Sequence, residues 1–361
     1  MVNDPAGPAL PDLGHHGDRE VGPGLLDLAV NVRRSAPPPW LAEIIAATIG
    51  DLGAYPDPAP ARTALAAAHD VDPAMVLPTA GGAEAFTLLA RAYPAAPAAV
   101  VHPQFTEPET ALRAVGNRPT WVLTDPADGF ALHPEQVPTD ADLVFVGNPT
   151  NPTAVRHPAA TLHRLLRPGR ILVVDEAFLD AVPLTATGTE ADTMIAPDMP
   201  GLVVLRSLTK TWGLAGLRAG YAVGDPAVIA AMAAQQPNWS VSTPAIAAMI
   251  ATADPGPRAE AADEAMVLQQ YRDYLDSGLR GLGLAPVPGV APFVLVEVGP
   301  GVREALRAAG FAVRRGDTFP GLGPQWIRIA VREPHLTDAL LGALGPLLHR
   351  GPHPGTPGPK D

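Results

Sequence analysis

Short apolar runs alternate with helical patterns along the first two thirds of the chain. Runs of three or four consecutive apolar residues lie at 99–101, 121–123, 143–146, 171–174 and 202–205. Runs that are apolar on both faces are typical of strands in a mainly parallel sheet covered by helices. Helical patterns at 83–92, 158–166 and 226–234 predict the crossover helices. The pattern therefore predicts an α/β layered domain.

The pattern changes after residue 257. A long helical stretch at 257–282 precedes three predicted strands, at 294–298, 312–314 and 326–330, and two further helices, at 302–309 and 336–348. This arrangement predicts a smaller α+β domain. The predicted boundaries are 1–39 for an N-terminal tail and an arm that joins the small domain, 40–240 for the large domain, 241–350 for the small domain and 351–361 for a disordered tail.

Composition narrows the class of protein. The net charge of −12 argues against a nucleic-acid binder, and no apolar run approaches the roughly 20 residues that a membrane span needs. The absence of cysteine excludes disulfides and thiolate metal sites, and no metal is predicted. Proline and glycine crowd residues 1–23 and 351–361, which predicts mobile tails. Without a signal-peptide pattern, the expected location is the cytoplasm.

Polar residues follow the predicted strands at the point where each strand ends. Asn148, Asp175 and Ser207 each come one or two residues after the end of an apolar run. Ligands of open α/β sheets bind outside the carboxyl ends of the strands. We therefore expect these residues to share one cleft.

Asp175 and Lys210 carry charge in an apolar context. Asp175 follows four apolar residues, so it either caps a helix or forms a salt bridge, or it faces the protonated nitrogen of a pyridine cofactor. Lys210 comes three residues after Ser207, and desolvation there would lower its pKa as a Schiff-base nucleophile requires. The alternative for Lys210 is a solvated surface group.

Two further segments could bind a phosphate or another oxygen-rich group. Ser207, Thr209 and Arg218 offer two hydroxyls and a forked cation, and the Gly81-Gly82 pair precedes a helical pattern whose N-terminus favours an anion. Residues 148–153, Asn-Pro-Thr-Asn-Pro-Thr, form either a rigid structural turn or a connection that places Asn151 against a ligand oxygen.

Five strings in order carry a resemblance to a known family. They are Tyr-Pro-Asp at 55–57, Asn-Pro-Thr-Asn-Pro-Thr at 148–153, Val-Asp-Glu-Ala-Phe at 174–178, Ser-Leu-Thr-Lys at 207–210 and Gly-Leu-Arg-Ala-Gly-Tyr at 216–221. The chain resembles fold-type I enzymes that use pyridoxal 5'-phosphate, specifically class I/II aminotransferases of the branch with histidinol-phosphate aminotransferase and L-threonine-O-3-phosphate decarboxylase. The resemblance implies a seven-stranded sheet in the large domain, bound cofactor and a homodimer.

The resemblance also implies roles for the residues around the cofactor. Lys210 would carry the cofactor as a Schiff base and move protons, and Asp175 would pair with the ring nitrogen. The ring would be held by Asn151 at its 3'-oxygen and by Phe105 on its face, with Phe178 beside it. The phosphate would be bound by Gly82, Ala83, Ser207, Thr209 and Arg218, and by Tyr55 of the neighbouring subunit.

The implied substrate is a small, phosphorylated amino acid. Arg328 would bind its carboxylate, Arg314 its distal phosphate, and Asn31 lies in a segment that lines the pocket. Phe178 departs from the tyrosine usual in aminotransferases of this branch and favours the decarboxylase as the subtype. Arg33 and Arg34 stand where Asn-Pro is common. The alternatives are a transaminase of the histidinol-phosphate type and a non-catalytic regulatory protein that binds the cofactor.

Overall fold

The fold is described from a computed structural model that covers residues 11–348. The predictions for the disordered tail at 351–361, and for the first ten residues of the predicted N-terminal tail, lie outside the described residues. Residues 11–23 lie within the described part, and their predicted mobility stays a prediction. They include a short 3-10 helix, Gly17–Glu20, whose Glu20 is 1% exposed and forms an ion pair with Arg303. A buried carboxylate paired with a distant arginine fixes this segment against the rest of the protein.

The larger sheet has seven strands and is mainly parallel, as predicted. Its order is β2-β8-β7-β6-β5-β3-β4, and only β8 runs antiparallel to its neighbours. The strands are β2 (Val76–Thr79), β3 (Ala98–His102), β4 (Thr120–Leu123), β5 (Leu143–Gly147), β6 (Ile171–Asp175), β7 (Leu202–Ser207) and β8 (Gly220–Gly224). The strands β5, β6 and β7 are buried almost throughout, which explains their apolar runs.

Strand β4 corrects the prediction that the run at 121–123 is apolar on both faces and covered by helices. β4 lies at the edge of the sheet, and Leu123 on it is 49% exposed, so this strand is not covered on both faces. An edge strand has a neighbour on one side only and keeps part of its surface in water.

Helices cover the two faces of this sheet and form separate apolar clusters. The helices are α1 (Pro39–Ala47), α2 (Ala59–His69), α3 (Gly82–Ala92), α4 (Glu107–Ala114), α5 (Ala159–His163), α6 (Thr209–Trp212), α7 (Pro226–Ala233) and α8 (Thr243–Ala253). One cluster contains Leu65 of α2 and Met249 of α8; the other contains Phe86 of α3 and Ile229 of α7. Fully burying one such side chain stabilises the folded state by about 1.5–3 kcal/mol. The two clusters therefore hold the sheet in place from both faces.

A second sheet has four strands in the order β1-β10-β11-β9, where β1 is parallel to β10 and the other pairs are antiparallel. Its strands are β1 (Leu26–Leu28), β9 (Phe293–Glu297), β10 (Phe311–Arg315) and β11 (Trp326–Ala330), and its helices are α9 (Pro255–Gly281), α10 (Val302–Ala308) and α11 (Pro334–Leu348). The predicted domain boundaries stay predictions. β1 pairs with the C-terminal sheet, whereas α8, just beyond the boundary predicted at 240, packs against α1 and α2.

No helix between residues 11 and 348 is both long and apolar enough to cross a membrane.

Candidate active site

The carboxyl ends of the parallel strands open into a cavity of about 410 Å³. Thirteen of the fourteen residues predicted for the site line it: Asn31, Gly82, Ala83, Phe105, Asn151, Asp175, Phe178, Ser207, Thr209, Lys210, Arg218, Arg314 and Arg328. They come from both sheets and from the connections between them. The predicted shared cleft is therefore a real cavity, while the chemical role of each residue stays a prediction.

Tyr55 is the predicted site residue that does not line the cavity. Its side chain is 77% exposed and stacks on Trp239, with ring centroids 4.3 Å apart. Tyr55 is predicted to bind the cofactor phosphate of a neighbouring subunit, so it is not expected to reach the cavity of its own chain.

Lys210 has the electrostatic environment of a nucleophilic amine. Burial, followed by the positive charges of Arg328 and Arg218, lowers the pKa of Lys210 to about 8. A nearby cation disfavours a second positive charge in the same way that burial does. At pH 7 roughly a tenth of this amine is therefore neutral, far more than for a solvated lysine with its ordinary pKa of about 10.4. Its Nζ also lies 5.9 Å from the centroid of the Phe178 ring.

Asp175 ends β6 and faces the same cavity. Burial raises the pKa of Asp175 to about 6, although the N–H of Ala177 donates a hydrogen bond of 3.1 Å to its Oδ1 and Lys210 also favours the charged form. A carboxylate that is costly to ionise gains most from a positively charged ligand group. This property fits the protonated ring nitrogen of the predicted cofactor.

One end of the cavity fits a phosphate. α3 begins at Gly82, and its N-cap Gly81 has a φ of +80°, which favours glycine. A Cβ built on Gly81 would lie 2.5 Å from Nη2 of Arg218, so only glycine lets the guanidinium approach this helix end. Backbone N–H groups at the helix N-terminus together with a forked cation are suited to an anion.

Two buried arginines form the opposite wall. Arg314 and Arg328 lie side by side on the paired strands β10 and β11 and are 2% and 4% exposed. Nη1 of Arg328 donates to Oδ1 of Asn151 at 2.5 Å, and its Nη2 donates to the carbonyl of Ala29. Among residues 11–348, no carboxylate forms an ion pair with Arg328. A buried cation without a carboxylate partner is costly, so an anionic ligand would complete this part of the cavity.

Arg314 is only partly compensated. Its Nη1 lies 3.7 Å from Oε1 of Glu20, and its Nη2 donates to the carbonyl of His15 at 2.6 Å. Burial lowers the pKa of Arg314 to about 10, yet the group stays charged at physiological pH. Its Nη1 has no hydrogen-bond partner within the described chain. This donor is therefore available to a ligand.

Aromatic rings and a small N-terminal segment complete the walls. The ring of Phe105 lies 5.5 Å from that of His16 and 6.3 Å from that of Phe86, and Phe178 contacts Phe293 edge-on at 4.9 Å. His16 also forms a 2.8 Å hydrogen bond with Glu107. Ten lining residues had no predicted role, and His16, Asp18, Phe86 and Phe319 are the four of them with charged or aromatic side chains. The sequence does contain a signal for Phe86. It lies about one helical turn after Gly82 on α3, which places the two residues on the same face of the helix.

The residues next to Asp175 and Ser207 anchor the strand ends from the other face. Arg206 is 2% exposed and forms ion pairs with Glu176 at 3.0 Å, Asp180 at 2.7 Å and Glu190 at 2.5 Å. Burial raises the pKa of Glu176 to about 7, whereas the charge and hydrogen bonds of Arg206 outweigh burial and hold that of Glu190 at about 2. Successive strand residues point to opposite faces, so this network supports the site without entering it.

Comparison with known proteins agrees with this geometry. The sequence profile of the family described as aminotransferase class I and II matches residues 23–344. A histidinol-phosphate aminotransferase of Mycobacterium tuberculosis is 47% identical over 323 residues, which are 88% of this chain and 86% of that protein.

Solved structures resemble the fold. An aspartate aminotransferase from Thermus thermophilus, solved with maleate, superposes with a TM-score of 0.78 at 25% identity and covers 89% of this chain and 91% of its own. An L-threonine-O-3-phosphate decarboxylase from Porphyromonas gingivalis superposes with a TM-score of 0.75 at 22% identity, covering 89% and 98%, and shows likeness of fold alone.

Proposed function

Because this chain belongs to the class I and II aminotransferase family, whose enzymes use pyridoxal 5'-phosphate, we propose that it transfers the amino group of a small, phosphate-bearing amino compound. The observation that carries the proposal is the buried guanidinium of Arg328, which has no carboxylate partner among residues 11–348 and lines the same cavity as Lys210. A cation in this position needs an anionic ligand next to the reactive amine.

The cavity residues fit the cofactor at both ends. The start of α3 with Ser207, Thr209 and Arg218 would hold its phosphate, and Lys210 would hold it covalently. Asp175 would keep the ring nitrogen protonated. When bound, the cofactor supplies an electron-withdrawing ring that stabilises negative charge on the α-carbon of the substrate.

The chain's own residues would then bind the substrate and move protons. The Nζ of Lys210, with its pKa lowered to about 8, can accept a proton from the α-carbon and return it elsewhere, which suits general acid–base catalysis near neutral pH. The hydrogen bond from Arg328 to Oδ1 of Asn151 orients that amide so that its Nδ2 donates to a ligand oxygen.

The substrate is proposed to carry a phosphate because two arginines face it. Arg328 and Arg314 together offer two cations, which suit either one doubly charged phosphate or the carboxylate and distal phosphate of a phosphorylated amino acid. The curated relative at 47% identity is named a histidinol-phosphate aminotransferase, and histidinol phosphate is our first candidate substrate.

Decarboxylation of a phosphorylated amino acid is a second candidate, and one residue favours it. Phe178 packs edge-on against Phe293 in the cavity wall and has no hydroxyl to donate to a ring oxygen. The aminotransferases that this chain resembles usually have tyrosine there. A missing donor changes the electron distribution in the ring, which can shift the reaction between breaking the Cα–H and the Cα–carboxylate bond.

A substrate panel separates the two candidates. We expect purified protein with cofactor to transfer the amino group of histidinol phosphate to 2-oxoglutarate, measured as glutamate formed. L-threonine-O-3-phosphate is assayed in parallel for release of carbon dioxide. Carbon dioxide without glutamate would replace the first candidate by the second. Neither product, with cofactor still bound, would favour a non-catalytic binding protein.

Replacing Arg314 by glutamine tests the phosphate. We expect the KM for a phosphorylated substrate to rise about 10- to 100-fold, because a charge-assisted hydrogen bond contributes roughly 1.5–3 kcal/mol, and the KM for its dephosphorylated counterpart to change little. Steady-state kinetics on both substrates measures the difference.

Arg315→Gln is the matched control for that variant. Arg315 is the next residue of β10, is partly exposed and forms its ion pair with Asp317. Equal losses in the two variants, or equal losses on both substrates, would rule out a specific contact between Arg314 and phosphate.

We also propose a homodimer in which Tyr55 of one subunit reaches the cofactor phosphate of the other. The support is the exposure of Tyr55 and Trp239, which stack on each other outside their own cavity. Exposed aromatic side chains in contact with one another are common where a second protein binds.

A further inference from the structure

Asn31 is the buried polar side chain of the cavity that most needs a ligand. It is 7% exposed and lines the cavity, and neither its Oδ1 nor its Nδ2 has a hydrogen-bond partner within the described chain. Leaving one such group unpaired costs about 1–3 kcal/mol. The position of Asn31 therefore depends on whatever holds the segment on each side of it.

The segment before Asn31 is fixed by hydrogen bonds to its backbone. Oδ1 of Asp27 accepts from the N–H groups of Ala29 and Val30, both at 2.9 Å. The carbonyl of Ala29 accepts from Arg328, and that of Val30 accepts from Arg332 at 2.7 Å. The bonds from Arg328 and Arg332 tie the segment to β11 and to the residues just after it.

The segment after Asn31 is fixed by charge. Nη1 of Arg33 lies 2.5 Å from Oε2 of Glu264 on α9, and Arg34 forms ion pairs with both Glu264 and Glu260. Glu260 also accepts a 3.0 Å hydrogen bond from Nε1 of Trp40. Within residues 11–348, Glu264 is thus the one carboxylate that forms ion pairs with both arginines.

The same segment lies against the turn that carries Lys210. The N–H of Arg33 donates to the carbonyl of Lys210 at 3.3 Å. A Cβ on Gly213, directly after α6, would lie 2.9 Å from the carbonyl oxygen of Ala36 and 3.1 Å from that of Arg34. The close approach leaves no space for the segment to shift toward α6, so displacement would have to be away from it.

Two adjacent arginines are an unfavourable pair without the acids. Burial, and then the charge of Arg34, lower the pKa of Arg33 to about 10. The side chains of Arg33, Arg34 and Glu264 are 19%, 27% and 18% exposed, so solvent screens their charges only in part. Two carboxylates facing two guanidiniums balance the charge.

We propose that Glu264, acting through Arg33 and Arg34, is a positioning residue that holds Asn31 toward the substrate. The proposal rests on the proposed function in that Asn31 contacts substrate. Glu264 itself touches neither cofactor nor substrate, and its effect passes through the segment at 31–34. Misplacement of a substrate contact by 1 Å can cost about a hundredfold in rate.

The test compares Glu264→Gln with Asp263→Asn. Asp263 is the preceding residue of α9 and is exposed, so this control removes one carboxylate from the same helix turn. We expect Glu264→Gln to raise the substrate concentration that half-saturates the absorbance change of the holoenzyme roughly tenfold, with Asp263→Asn unchanged. Glu264→Asp, which keeps the charge, is expected to lie between them.

A double-mutant cycle with Asn31→Ala separates positioning from general stability. If Glu264 acts through Asn31, Glu264→Gln adds little to the loss already caused by Asn31→Ala. Additive losses would overturn the proposal. If Glu264→Gln does not fold, Arg34→Gln weakens the same contact and takes its place in the cycle.

Amide hydrogen exchange of residues 29–36 keeps this test independent of the substrate. We expect faster exchange there in Glu264→Gln than in Asp263→Asn, whether or not the proposed reaction is correct. Unchanged exchange in this segment would refute the positioning role. Faster exchange without any substrate effect would instead count against the proposed function, because Asn31 would then have no substrate to contact.

Discussion

Lys210→Ala is expected to lose the visible absorbance of the covalently held cofactor and to reduce turnover by at least about a thousandfold. The variant removes both the amine that holds the cofactor and the group proposed to move the α-proton, and proton transfer alone contributes about 10²- to 10⁴-fold. The absorbance spectrum of protein dialysed with cofactor and the rate with the best substrate of the panel are the two measurements.

The small number of lysines in the chain makes the result of this experiment simple to interpret. The sequence contains two lysines, Lys210 and Lys360. Lys360→Ala is therefore the complete control, and we expect its spectrum and rate to match the parent. Borohydride reduction of the holoenzyme followed by peptide mass analysis should place the adduct on Lys210. An adduct on Lys360, or an unchanged spectrum in Lys210→Ala, would refute the assignment.

The lowered pKa of Lys210 also explains why the amine is usable near neutrality. Its ordinary value would leave a lysine almost fully protonated there. Burial and the charges of Arg328 and Arg218 bring the pKa to about 8. The same two arginines are proposed to bind the anionic groups of substrate and cofactor, so ligand binding would partly neutralise the charge that keeps this pKa low.

The central strands were predictable because their sequences obey one rule. β5, β6 and β7 are buried on both faces, and continuous apolar runs such as 143–146 are the direct result. β2 and β8 were not predicted. β2 contains Pro78, and β8 begins and ends with glycine, residues that weaken a strand pattern although both strands pair along their length.

The site was predictable where its residues follow strand ends, and not where they come from distant packing. Asp175 ends β6 and Lys210 lies just beyond β7, so the topology alone brings them to one edge of the sheet. Phe319 follows β10 in the other sheet, and no local pattern indicates that it reaches the same cavity. The contact of Arg33 and Arg34 with Glu264 spans more than 200 residues and likewise has no local signature.

Asp175→Asn is expected to keep the cofactor bound while turnover falls about 10²- to 10³-fold, the loss typical of removing one electrostatic stabiliser from a preorganised site. Asparagine keeps the size of the side chain and the oxygen that accepts from the N–H of Ala177. It removes only the negative charge proposed to hold the ring nitrogen protonated. The cofactor spectrum and the rate with saturating substrate measure the two outcomes separately.

The folding stability of Asp175→Asn should stay the same or rise although its turnover falls. This contrast distinguishes a catalytic role of Asp175 from a structural one. Without cofactor, the pKa of Asp175 is raised to about 6, so ionising this carboxyl destabilises the folded state as pH rises from the ordinary value of 3.8 through 6. At pH 7 the neutral asparagine avoids this cost, and the cofactor-free variant is expected to unfold at the same temperature as the parent or higher. A clear fall in its unfolding temperature together with a near-normal rate would make Asp175 a structural carboxylate and not the partner of the ring.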